Sequence, residues 1–466
     1  MRPAQRRWLP SAIPWLVLAV ISLSAATSRW IERRTVEESR CLGCNVVLIV
    51  VDALRADHLG TYGYHRPTSP QIDELASTAI VFENAFSQAP WTRASFASLF
   101  TSLYVSEHLT NSSLARNQLP GSIPTFAEVL KSHGYITAAL VNAPFLHPSF
   151  GLARGFDFYS AHVEKPFRKT NDTTGQAIQW ISQHRKERFF LFVHYFDPHA
   201  PYNPPAPYTT MFDSDFVDIL QLSTTHGRGF ESKILSPRDI EHIVALYDGE
   251  IRSVDDSIGD LLDYLVTTGL LKETLFLVTS DHGESFHRGF IGHGGSARRR
   301  SEELYDELIR VPLILQHPTA GPKRIVRSIQ LIDVMPTLLA MLQLPIPSNI
   351  SGIDIFSSAA KAERPSISEM SSYVSIRSGG FKLIASTHQL DDLALYDLVQ
   401  DPGERVNCAV THPEMLQVLH ARLEAWRTAS RKSAEVFQAT GQGRSVTTNS
   451  APKSLTEELR TLGYVE

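Results

Sequence analysis

The stretch Asn45-Val46-Val47-Leu48-Ile49-Val50-Val51, followed at once by Asp52, decides the reading of this chain. A short, continuous, β-branched apolar run is the pattern of a strand buried on both faces of a sheet. A second run of the same kind, Thr274 to Ser280, ends in Asp281-His282-Gly283-Glu284. Open α/β sheets bind ligands outside the carboxyl ends of their strands. Two such strands carrying carboxylates and an imidazole to that edge therefore read as a site for one divalent metal ion, and the chain reads as a metal-dependent enzyme.

Outward from these two strands the same alternation continues. Apolar runs recur at Ile136 to Val141, Phe189 to Phe196 and Val311 to Leu315, with segments of helical period between them. This predicts an α/β fold, a large mostly parallel sheet flanked by helices. The clearest helix is expected from about Arg238 to Thr268, where Ile240, Ile243, Val244, Tyr247, Ile251, Val254, Ile258, Leu261, Leu262 and Leu265 share one stripe between Pro237 and Gly269. An amphipathic stretch, Ile332 to Leu344, ends in Pro345-Ile346-Pro347 and suggests a boundary. Strand-like pieces at Tyr373 to Ile376 and Phe381 to Ile384, and a helix near Glu414 to Trp426, then predict a smaller C-terminal α/β lobe. The chain divides accordingly into residues 1–44, 45–345, 346–430 and a polar tail, 431–466, read as mobile.

Composition is that of an ordinary globular protein, with 43% hydrophobic residues and 20% charged. A net charge of -5 with interspersed signs provides no basic stripe, which sets nucleic acid aside. At the amino terminus, 21 uncharged residues from Trp8 to Ser28 lie between Arg7 and Arg29. That length can just span a bilayer, and small residues around Ser24 to Ala26 would equally suit a cleavage site. Either a membrane anchor or a removed signal segment is expected, and either places the following domain outside the cytoplasm. Cys41 and Cys44 would close a small local disulfide loop in that setting or stand as idle thiols, and Cys408 has no evident partner.

Further motifs carry a family resemblance. Val51-Asp52-Ala53-Leu54-Arg55-Ala56-Asp57-His58-Leu59-Gly60, Tyr62-Gly63-Tyr64 and Thr68-Ser69-Pro70 are followed in order by Gly155-Phe156-Asp157 and Pro198-His199-Ala200-Pro201-Tyr202. Ser280-Asp281-His282-Gly283-Glu284, Leu304-Tyr305-Asp306-Glu307, Arg310-Val311-Pro312-Leu313 and Asp401-Pro402-Gly403-Glu404 complete the series. From residue 45 to 428 the chain resembles the sulfatase family of the alkaline-phosphatase-like superfamily. The resemblance implies Asp52, Asp281 and His282 as metal ligands, and His199 and His293 as groups that bind substrate oxygens or protonate a leaving group.

The catalytic segment departs from the family pattern. Family members carry Cys or Ser, later oxidised to formylglycine, ahead of x-Pro-x-Arg; here those positions fall on Thr92, Ala94 and Phe96. No formylglycine can form from threonine. Pro90-Trp91-Thr92 instead resembles the threonine-type branch of the superfamily, which attacks phosphorus directly and would make Thr92 the nucleophile. Ala53 replaces a second acid found in many sulfatases, so the metal could be calcium, manganese, magnesium or zinc. The Lys and His that usually grip sulfate are absent from Leu140 to Phe145, where Asn142 remains as a substrate-binding candidate. Arg298, Arg299 and Arg300 stand where a basic substrate-binding residue is common, although a solvated loop is the default reading.

Each assignment has a plainer counterpart: Asp52 and Thr92 as helix caps, His199 as a surface residue, His293 as part of a glycine-rich loop. Three functions remain open. One is a hydrolase of sulfuric or phosphoric esters, with Thr92 favouring phosphorus. Another is a transferase passing a phospho-group between lipid and glycan. The third is a binding protein on a sulfatase scaffold. The expected partners are a sulfated or phosphorylated glycan or lipid, and a membrane through the N-terminal segment.

Overall fold

A computed structural model describes residues 40–110, 118–162, 168–215, 235–286, 291–293, 304–361, 363–370, 372–388 and 392–441. Strand β1 (Asn45–Val51) is buried throughout and lies between β5 (Phe189–Tyr195) and β6 (Thr274–Ser280), parallel to both. Beyond β5 follow β3 (Ile136–Val141) and β4 (Phe158–Ala161), again parallel. Beyond β6 come β8 (Leu313–Gln316), then β2 (Ile80–Phe86), which also pairs with β7 (Arg310–Val311) and β9 (Lys323–Gln330). The sheet is mostly parallel, as expected, with β7 and β8 running against their neighbours.

The continuous apolar strands are explained by cover on both faces. Val46, Leu48 and Val50 face one cluster with Phe190 and Phe192, while Val47, Ile49 and Val51 face the other with Leu191 and Val193. On the first side lie α2 (Thr92–Thr101), α3 (Phe126–Ser132) and α6 (Val334–Met341). On the second lie α1 (Pro70–Thr78), α4 (Thr170–His184) and α5 (Pro237–Thr267). Helix α5 buries most of the predicted stripe, with Ile240, Val244 and Leu262 partly buried at its margin, and Ser236 caps it by accepting from the Asp239 backbone N–H. Such a cap contributes about 1 kcal/mol. The run Val311 to Leu315 does not form the single strand expected, because Pro312 has no N–H for a ladder and divides β7 from β8.

A separate antiparallel sheet, β10 (Ser366–Met370), β11 (Tyr373–Ser378), β12 (Phe381–Ser386) and β13 (Leu393–Asp397), forms the C-terminal region. Gly379 and Gly380, at φ 60° and 80°, make the tight turn between β11 and β12. Helix α7 (Pro413–Gly441) packs Leu419 and Leu423 on this sheet. It continues past Ser430, where the sequence suggested a mobile tail: Ser430 is buried against Ser106, and Phe437 joins the main core. No described helix is long and apolar enough to cross a membrane, and the stretch Trp8 to Ser28 lies outside the described residues.

Candidate active site

Strand register assembles the site. Val51 pairs with Ser280, so Asp52 and Asp281, one residue further along β1 and β6, emerge side by side at the carboxyl edge. Both are fully buried. The amino terminus of α2 brings Thr92 to the same place, with its dipole favouring negative charge there. Thr92 Oγ1 stands 3.4 Å from His282 Nε2. The same nitrogen is 3.4 Å from Asp52 Oδ1 and 3.4 Å from Asp281 Oδ2.

The orientation of His282 is fixed by its other nitrogen. Nδ1 lies 2.8 Å from the Gly283 carbonyl, which only accepts, so Nδ1 carries a proton and Nε2 is turned to the two carboxylates. Gly283 makes the turn feasible, because a Cβ there would come within 2.0 Å of the Glu307 carbonyl oxygen. Asp281 Oδ1 accepts from the backbone N–H of His282 at 2.9 Å and of Ala53 at 3.3 Å. Asp281 Oδ2 and both oxygens of Asp52 receive no hydrogen bond among the described residues. Burial, then the neighbouring Asp281 carboxylate, pushes the Asp52 carboxyl well above its ordinary range. Burial alone would lower His282, but Asp281 and Asp52 outweigh it and raise the imidazole.

His293 and His199 stand in turn beside His282. The His293 ring sits 4.1 Å from that of His282 and 4.6 Å from that of His199. His293 Nδ1 is 2.9 Å from Glu284 Oε1, while Tyr202 donates to Glu284 Oε2 at 2.9 Å. His199 Nδ1 is held 2.7 Å from the Ala200 carbonyl. Thr92, Asp52, Asp281, His282, His293 and His199 are thus brought together. Asn142 is tied instead to the neighbouring strand: its Nδ2 donates to the His194 carbonyl and to Thr173 Oγ1, leaving Oδ1, an acceptor, without a donor. Arg298 to Arg300 lie outside the described residues.

Three residues escaped the sequence reading. Glu284 was quoted within its motif without a role, and it orients His293 and Tyr202. Arg55 grips Asp57 through two nitrogens and donates its Nη1 to the Glu284 carbonyl at 3.0 Å. His194, buried in β5, places Nε2 3.3 Å from Asp52 Oδ2, and burial pushes this imidazole down to about 4. A single histidine inside an otherwise apolar strand was the available signal.

The sulfatase family model matches residues 44–344, and a model for the C-terminal region of N-sulphoglucosamine sulphohydrolase matches residues 299–429. The chain belongs to the sulfatase family. Arylsulfatase K of Xenopus laevis is 26% identical over 463 aligned residues, covering 84% of each chain. Delta 4,5-hexuronate-2-O-sulfatase of Bacteroides thetaiotaomicron is 26% identical, covering 78% of this chain and 84% of its own. Among solved structures, the phosphonate monoester hydrolase of Agrobacterium radiobacter superposes with TM-score 0.67 at 20% identity, covering 83% of this chain and 96% of its own. A protein bound to its substrate D-glucosamine-2-N,6-O-disulfate superposes with TM-score 0.71 at 19% identity, covering 84% and 98%.

Membership in this sulfatase family makes the chain an ester-hydrolysing enzyme of a kind that typically binds a divalent metal. The residues present suit such an ion. Ligand atoms of Asp52, Asp281 and His282 lie within 4.8 Å of one another. Buried carboxylate oxygens without hydrogen bonds call for a cation, because an uncompensated buried charge is strongly unfavourable.

Proposed function

We propose that this chain is a metal-dependent hydrolase of phosphoric or sulfuric esters in which Thr92 is the nucleophile and phosphorus the favoured centre. The observation that carries this reading is the placement of Thr92 Oγ1 at a helix amino terminus, 3.4 Å from His282 and beside two buried carboxylates. A cation held by Asp52, Asp281 and His282 would supply positive charge beside the attacking oxygen and the ester oxygens.

The chain's own groups have distinct parts. Thr92 Oγ1 attacks phosphorus while its hydroxyl proton passes to water and the bond to the leaving oxygen breaks. His293, oriented by Glu284, and His199 beside it would hold the ester oxygens or protonate the leaving alcohol. Water then hydrolyses the phosphothreonine and restores the hydroxyl. Threonine cannot form the aldehyde hydrate on which formylglycine sulfatases depend, which favours phosphorus over sulfur. Sulfated glycans are the second reading, favoured by the sulfatase names and the sulfated sugar among the relatives. The Cys41–Cys44 disulfide and the uncharged N-terminal stretch favour an extracytoplasmic enzyme, anchored or released.

The test is a parallel assay of the purified chain on aryl sulfate, phosphate monoester, phosphodiester and phosphonate monoester substrates, with chelator and with added divalent cations. Metal-dependent cleavage of a phosphorus ester, lost in Thr92→Ala, is expected. Cleavage of the sulfate alone would overturn the preference for phosphorus, and unchanged turnover in Thr92→Ala would remove the nucleophile assignment.

A further inference from the structure

His194 and Asp52 meet because of strand alternation. In β1, Val46, Leu48 and Val50 face the cluster beneath α2, and Asp52 is the next residue on that side. In β5, Phe190 and Phe192 face the same cluster, and His194 follows them. Val50 pairs with His194, so the imidazole lies alongside the last turn of backbone before Asp52. Its Nε2 is 3.3 Å from Asp52 Oδ2, close enough to meet it although no hydrogen bond is formed, and neither atom has a hydrogen-bond partner among the described residues.

The opposite side of the ring is also held. The backbone N–H of Asn142 donates to His194 Nδ1 at 3.4 Å, and the Asn142 side chain donates to the His194 carbonyl. Phe96 packs edge-on against the imidazole at 5.4 Å and 71°. An Nδ1 that accepts from an amide leaves the ring's proton on Nε2. A protonated Nε2 presents no lone pair to a metal. It does present a donor to a carboxylate.

We infer that His194 is a positioning residue for Asp52, directing its Nε2–H at Oδ2 so that Oδ1 turns toward Asp281 and His282. The inference rests on the reading of Asp52 as a metal ligand. It also gives Asn142 a place, as the group that fixes the tautomer and angle of His194. Groups that orient a ligand in this way change metal affinity about 10–100-fold when removed.

The experiment is calorimetric titration of Mn²⁺ into the full chain and into His194→Gln and His194→Met, with unfolding midpoints measured in chelator. Gln offers an amide N–H near the position of Nε2; Met matches the bulk without a donor. His194→Met is expected to bind Mn²⁺ about 10–100-fold more weakly at unchanged stoichiometry, and His194→Gln to recover most of the loss. Equal affinity in the wild type and His194→Met would overturn this inference alone, and so would equal losses in Met and Gln. Failure of the wild type to bind Mn²⁺, Mg²⁺, Ca²⁺ or Zn²⁺ would overturn the metal reading and this inference with it. Nitrogen-15 histidine spectra of the wild type decide the tautomer even if neither variant folds: a proton on Nε2 is expected, and one on Nδ1 refutes the assignment.

Discussion

Asp52→Asn should reverse its effect on stability according to whether a cation is bound. The facing oxygens of Asp52 and Asp281 lie within 4.8 Å of each other, and neither carboxylate is exposed. At an effective dielectric of about 20, two unit charges at that distance repel by about 3.5 kcal/mol. His282, 3.4 Å from both, offsets part of this when protonated. In chelator the isosteric amide should therefore stabilise the fold by about 2 kcal/mol, raising the unfolding midpoint by about 2 °C. With saturating Mn²⁺ the order should invert, because the wild type gains binding free energy that the variant, lacking a charged ligand, cannot match. Thermal unfolding in chelator and in Mn²⁺ measures both halves. A variant less stable than wild type in chelator, or equal Mn²⁺ stabilisation of the two proteins, would refute the reasoning.

Thr92→Ser keeps a hydroxyl and should retain turnover within about tenfold, whereas Thr92→Ala should lose a thousandfold or more, on the order seen when a nucleophile is removed; steady-state assays on the best substrate decide. Gly283→Ala must push the Glu307 carbonyl away from a Cβ only 2.0 Å distant, so overpacking of about 3 kcal/mol and misplacement of His282 are expected, read by unfolding midpoint and turnover together. Lys382 is fully buried between Asp306 at 2.9 Å and Glu404 at 2.8 Å, and Lys382→Met should cost about 3 kcal/mol at pH 8. Burial holds Glu404 at about 7 against an ordinary 4.5, so wild-type stability falls as pH rises across that window; removing the ammonium extends the fall and widens the deficit by up to about 1.4 kcal/mol per pH unit above it, and a pH-independent deficit would refute the pairing.

What could be read in the sequence was whatever a single element encodes. β1 and β6 were legible because burial on both faces leaves only apolar residues, and the polar residue that ends each run marks the edge. α5 was legible because its stripe and both its stops lie within one stretch. β2 was not read as a strand, since Glu83 and Asn84 at its centre are half-buried where β9 bulges past them. The end of α7 was masked by polar composition; what holds it is a few buried residues, Ser430, Ala434 and Phe437, at helical spacing. Of the candidate site, Asp52, Asp281 and His282 could be picked out in the sequence because each sits in a local motif. His194 was missed because its meaning depends on which strand lies beside β5, a fact of register that no local pattern carries.

The same distinction bears on which ion the proposed metal site would prefer. Ala53 stands where a second acid would add a ligand, and it takes a left-handed conformation, φ 57°, that costs a residue with a Cβ roughly 1 kcal/mol. Its backbone has a definite use: the N–H donates to Asp281 Oδ1 at 3.3 Å and the carbonyl accepts from Tyr247 at 2.7 Å. Ala53 therefore aims Asp281 and adds no ligand. Two carboxylates and an imidazole, with the Thr92 hydroxyl beside them, make a small mixed nitrogen and oxygen set. Ca²⁺ takes about 6–8 oxygen ligands, whereas imidazole suits the transition metals. Mn²⁺ or Zn²⁺ should consequently bind more tightly than Ca²⁺ and support turnover at lower concentration, measured by competition calorimetry and by reconstitution of chelated enzyme. Ca²⁺ displacing Mn²⁺ at equal concentration would show that further oxygen ligands complete the site and that the donor set drawn from Asp52, Asp281 and His282 is too small.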